Sequence, residues 1–134
     1  MNIAKINVGG KPMEFKSSGM TQITYSMLFK GRDFVKDIFS LRELEKNIES
    51  DESFSIPPDS LKIFANICYT MRYQALSRAE KKEFRVKYPT AFDWLDELDA
   101  FSIYEILPVL MDLWDIDSIQ TSSLEEKKAK PVGN

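Results

Sequence analysis

The hydrophobic pattern of this chain changes period once, and that change sets what it can fold into. Up to residue 16 apolar residues recur every second position; from residue 20 onward they recur at helical spacing. Ala4, Ile6 and Val8 alternate with Lys5 and Asn7, and Met13 and Phe15 alternate with Glu14 and Lys16. Gly9-Gly10 lies between the two runs, so residues 1–16 read as a β-hairpin. Pro12 has no N–H to give a ladder and belongs at the turn end or on an edge. Two strands alone are not stable in water, so the apolar face of the hairpin must pack on the helices that follow.

Those helices are expected over residues 20–116. Met20, Ile23, Met27 and Leu28 mark the apolar stripe of a first one, Thr21 to Lys30, with Gly31 placed to end it in a left-handed conformation. Asp33 reads as the N-cap of a second, whose stripe is Phe34, Ile38, Leu41 and Ile48 with Leu44 close by. Lys36, Asp37, Arg42, Glu43 and Lys46 lie mostly off that stripe, and residues 50–53 break the pattern. Pro57-Pro58 opens a third helix, since proline is tolerated in a first turn. Leu61, Phe64, Ala65, Cys68, Met71 and Ala75 mark its buried side. Residues 77–87 are highly charged and read as a short exposed helix or a polar connection, ended by Tyr88-Pro89. Thr90 and Asp93 match a capping box, with Phe92, Leu95 and Leu98 on one face and Trp94 beside it. Ser102 and Glu105 match another, opening a last helix with Ile103, Leu107, Leu110, Met111 and Trp114 on one side and a bend at Pro108. The expected fold is therefore mainly α: a single domain over residues 1–118, with about five helices behind an N-terminal hairpin. A polar, flexible tail is expected over residues 119–134.

Composition restricts the chemistry more than the fold. The sequence has no histidine, which removes Ser-His and Cys-His nucleophile pairs, the usual neutral-pH general base and the commonest metal ligand. One cysteine, Cys68, allows neither an internal disulfide nor a thiolate cage, and on an apolar helix face it reads as a small core residue. The carboxylates Asp93, Asp96, Glu97 and Asp99 crowd one stretch, but neighbours on a single amphipathic helix are its wet side, with no partner across a cleft and no EF-hand glycine. Gly9-Gly10-Lys11 resembles a phosphate loop only superficially, because Pro12 follows and no helix begins. No catalytic residue, cofactor or metal is expected, and the chain is expected not to be an enzyme.

A formal net charge of −3 supplies no general field for phosphates, so nucleic acid is a poor partner. No stretch reaches the ~18 apolar residues that a membrane span needs. Residues 1–5 lack the apolar core of a signal peptide, so the chain is expected to stay in the compartment where it is made. The last helix is flanked by Asp112, Asp115 and Asp117, which anionic lipids would repel.

The order of segments carries a resemblance. After the hairpin comes Thr24 to Ile38, TYSMLFKGRDFVKDI; then Tyr88 to Leu98, YPTAFDWLDEL; then Ile106 to Trp114, ILPVLMDLW; then a Lys-rich end. Together, over nearly the whole length, the chain resembles the tail assembly chaperones of long-tailed phages and prophages of Gram-positive bacteria. It departs from them by one extra residue at Lys30 to Asp33 and by a longer, more charged segment over residues 77–87. The resemblance implies a non-catalytic assembly factor of the host bacterial cytoplasm, left out of the mature virion. It would bind the tape measure protein, keep its hydrophobic helices soluble and help recruit the major tail protein. It also implies a programmed frameshift near the end of the gene, with Lys127-Lys128 as the kind of codon pair involved, and invites weak self-association along a shared client. A structural tail-completion or connector protein, or a small helical adaptor, is the alternative. A holdase for helices needs exposed apolar surface, and the chain has more aromatics than one small core needs. Tyr25, Phe29, Tyr73, Tyr104 and Trp114 are the residues expected to form it.

Overall fold

The computed structural model describes residues 2–51 and 53–114. The tail expected over 119–134 lies outside the described residues. Strands β1 (Asn2–Val8) and β2 (Lys11–Ser17) form the expected antiparallel hairpin, with Ala4 opposite Phe15 and Ile6 opposite Met13. Its two-residue turn uses Gly9 at φ 59° and Gly10 at φ 82°. Gly9 is required twice over, because a Cβ there would stand 3.2 Å from the backbone nitrogen of Ala100. Ile6, Val8 and Phe15 are buried on one face, and β2 packs on the third helix.

The helices are α1 (Thr21–Leu28), α2 (Phe34–Ser50), α3 (Pro58–Gln74), α4 (Arg78–Lys87) and α5 (Ala91–Asp96). A sixth, α6, spans residues 103–114 and continues through Pro108 to the last described residue. The charged stretch after residue 77 is thus a helix. Ser77 and Glu80 close a reciprocal capping box on α4, and Thr90 and Asp93 close another on α5. Asp33 caps α2 by accepting from the N–H groups of Val35 and Lys36.

The centre of the fold is α3. It touches β2, α1, α2, α4 and α5, and its residues 64–71 are buried without a break. A one-sided stripe was the expectation, but a helix enclosed by neighbours has no wet side. Ile67, Tyr69, Asn66 and Thr70 are buried as well, while Leu61, near the open N-terminal end, is 44% exposed. In α6, Ile106 and Leu113 join the expected Ile103, Leu107, Leu110 and Met111 in the core.

Three further expectations are corrected. On α1 the stripe of Met20, Ile23 and Met27 faces solvent, and Thr21, Thr24 and Tyr25 are buried instead. Partners for the buried polar groups explain the rotation. The Thr21 hydroxyl donates to Gln74 Oε1 at 2.8 Å, and the Tyr25 hydroxyl donates to Asp37 Oδ2 at 2.5 Å. Asp37 is accordingly 3% exposed, although its position lies off the apolar stripe of α2. It also accepts from Arg32 Nε at 3.0 Å and Arg32 Nη2 at 2.7 Å. On α5, Phe92 is 51% exposed, and Ala91 and Trp94 make the core contact.

Candidate protein-binding surfaces

The aromatics expected at a surface fall into different places. Tyr25 does not belong there, since its ring and hydroxyl are fully buried. Phe29 is partly buried between Tyr25, at 5.4 Å between ring centroids, and Tyr69, at 5.6 Å. Trp114 is also partly buried and meets Phe34 edge-on at 4.8 Å, and Phe34 meets Tyr25 at 5.3 Å. Tyr25, Phe29 and Trp114 therefore belong to one line of packed rings that joins α6, α2, α1 and α3. Tyr73 stands apart, half-covered, with the Lys81 ammonium 5.6 Å from its ring centroid. Tyr104, at 59% exposed, is the one of the five that presents most of its surface to solvent.

The buried Cys68 thiol and Tyr25 hydroxyl hold their protons at neutral pH. Burial pushes the Cys68 thiol well above its ordinary value of 9.0, away from the thiolate that nucleophilic chemistry needs. Burial, then the hydrogen bond to Asp37, raises the Tyr25 hydroxyl from its ordinary 10.0. Both folded-state values lie above the unfolded ones. Above pH 9 the unfolded chain therefore loses protons that the folded chain keeps, so stability falls as pH rises. Denaturant midpoints should be flat from pH 7 to about 9 and drop above it, and Tyr25→Phe should make the drop shallower. A midpoint that holds steady to pH 11 would contradict the burial of both groups. Among the described residues no group of three or more Cys, Asp or Glu side chains is arranged to hold a metal ion. No described helix is long and apolar enough to cross a membrane.

What the surface does offer is apolar. Met20, Ile23 and Met27, at 52%, 53% and 68% exposed, lie at helical spacing along the outer side of α1. No charged residue occurs between Ser17 and Phe29 to interrupt them. Two methionines in three residues make the face deformable, which suits partners of varied shape. Val35 and Phe39, one turn apart on α2, are also more than half exposed.

Two open grooves add to this face. The first lies between the C-terminal half of α2 and the start of α6. Its two adjoining hollows, of about 240 and 150 Å³, share Ile48 and Tyr104 and are edged by Glu45, Glu49 and Asp51. The second, of about 380 Å³, lies where the end of α1, the start of α3 and the start of α5 meet. Leu28, Phe29 and Phe92 give it apolar walls, and Lys30, Arg32 and Lys62 edge it. The two rims carry opposite charge on one small domain. Of the five aromatics named from the sequence, Tyr104 lines the first groove and Phe29 the second; the grooves themselves were not legible, because each is assembled from segments far apart in the chain.

Searches of protein-family models, curated proteins and solved structures found no match to this chain.

Proposed function

We propose that this protein is a non-catalytic assembly factor of the phage tail assembly chaperone kind. It binds the tape measure protein in the bacterial cytoplasm, keeps it soluble, helps recruit the major tail protein and is left out of the finished virion. The observation that carries the reading is the outward apolar face of α1. A small domain that buries Thr21, Thr24 and Tyr25 and leaves Met20, Ile23 and Met27 in water has a surface built for another apolar helix. The order of motifs from Thr24 to Trp114, through the resemblance it carries, supports the tape measure protein as the client.

Co-expression with the tape measure protein tests the reading. The client is expected to become soluble and to co-purify with this chain. Met20→Glu, Ile23→Glu and Met27→Glu together should abolish co-purification and leave the melting temperature nearly unchanged, because all three side chains are already exposed. If the client stays insoluble with the chain alone, and also with the overlapping reading frame fused to it, the proposal is wrong.

A further inference from the structure

The groove at the junction of α1, α3 and α5 carries an inference beyond the identity of the client. Its rim is cationic, with Lys30, Arg32 and Lys62 and no carboxylate along its lining. Arg32 spends Nε and Nη2 on Asp37 and keeps a side chain 41% exposed at the rim. Its floor carries a second, independent feature. Asn66 lines the groove, with only 6% of its surface exposed. A side-chain amide that reaches a groove can pair with a ligand there through its N–H donors and its C=O acceptor.

We infer that this groove binds a peptide segment of another protein in which a bulky apolar side chain is flanked by Asp and Glu. Leu28, Phe29 and Phe92 receive the apolar side chain, and the three cations receive the acidic flanks. The Asn66 amide has both N–H donors and a C=O acceptor, which match the C=O and N–H of a peptide backbone. A bare phosphate would use the donors alone and face the amide oxygen with its own negative charge. Nucleic acid is further disfavoured because the chain as a whole is acidic, so attraction is confined to this rim. The inference rests on reading the chain as a protein binder, not on which protein is bound.

The test uses the full chain and a short fluorescein-labelled peptide with a central Leu-Phe pair between runs of Asp and Glu. Binding followed by anisotropy should be saturable and should weaken with added salt. Lys30→Glu with Lys62→Glu should weaken it by about tenfold or more, since both lysines are exposed and the fold does not depend on them. Asn66→Asp should do the same by repelling the peptide at the floor. Lys11→Glu with Lys82→Glu makes the same change in net charge at exposed positions elsewhere and should leave affinity within about twofold. Equal loss in both double variants would reduce the binding to general attraction and overturn the proposal. So would equal binding of a peptide with Lys in place of the acids. A fluorescent ATP analogue that binds in place of the peptide and responds to the same variants would reassign the groove to nucleotides. Sedimentation that shows an oligomer broken by Lys30→Glu with Lys62→Glu, with no peptide binding, would reassign it to a second copy. If groove variants lose the peptide but still solubilise the tape measure protein, the peptide site stands as separate from the main client face. If the tape measure protein is never bound and the peptide is, the chaperone reading fails and the groove survives it.

Discussion

Asp37→Ala should cost about 3 kcal/mol of folding stability, read from the shift of a urea or guanidinium midpoint at unchanged slope. The carboxylate is 3% exposed and accepts three hydrogen bonds, one from Tyr25 and two from Arg32. Its removal leaves the buried Tyr25 hydroxyl with no acceptor and the guanidinium with no anion. Breaking a buried ion pair costs about 3–5 kcal/mol, and the lower end applies because the Arg32 side chain is 41% exposed and can be rehydrated. Tyr25→Phe removes one donor and keeps the ring between Phe29 and Phe34, so about 1–2 kcal/mol is expected. The double variant should cost less than the sum, because both changes delete the same 2.5 Å bond. The network joins α1, the 29–33 turn and α2, and that turn places Lys30 and Arg32 on the cationic groove. Asp37→Ala should therefore also weaken peptide binding at that groove. A loss under about 1 kcal/mol would mean that this carboxylate is hydrated in solution rather than held by Tyr25 and Arg32.

The elements of this fold were legible because each is signed locally. The Gly9-Gly10 turn, the Asp33 cap and the Thr90–Asp93 box announce themselves within a few residues, and the structure places a strand or helix boundary at each. Which side of a helix turns inward was less legible, because periodicity treats every polar residue as a vote for water. On α1 the vote failed: Thr21 and Tyr25 have polar partners at Gln74 and Asp37, which are 53 and 12 residues away in the chain. Gln74 lies beyond any local window around Thr21, and periodicity within one helix does not pair Tyr25 with an acid on the next. The same holds for Asp37, which looks like a wet-side charge until Arg32 and Tyr25 are brought to it. One signal was present, however. An amphipathic surface helix ordinarily carries charge on its outer side, and the stretch from Ser17 to Phe29 has none. A helix without charge, beside other helices with plenty, is either central or presents an apolar face to a partner. Here α3 takes the central place, and α1 leaves Met20, Ile23 and Met27 in water, which is the face that the proposed client would cover. The cationic groove had no comparable sign, since Phe29, Lys62, Asn66 and Phe92 come together only through tertiary packing.

Trp94→Ala is the change expected to cost most, at about 3–5 kcal/mol. The indole is 3% exposed and lies within 6.4 Å of four ring centroids: Phe15, Tyr69, Phe84 and Phe101. These come from β2, α3, α4 and the segment before α6, so one side chain ties four parts of the chain together. The surrounding rings belong to separate elements and would close on the vacated space only in part, so a cavity term adds to the lost transfer energy. The effect should also be local. A helix as short as α5, at six residues, has little stability of its own in water and depends on this anchor. Amide exchange should accelerate first between Ala91 and Glu97, ahead of α3. Phe92→Ala is the control: its side chain, two residues earlier, is 51% exposed and should cost less than about 1 kcal/mol. For peptide binding at the cationic groove both variants should be harmful, Phe92→Ala by removing a wall and Trp94→Ala by releasing the helix that carries it. Phe92→Ala therefore separates the two roles of α5, because it should lose the peptide and keep the fold. If Trp94→Ala left stability within about 1 kcal/mol of the parent, the packing of α5 against α3 would be wrong, and the groove between them with it.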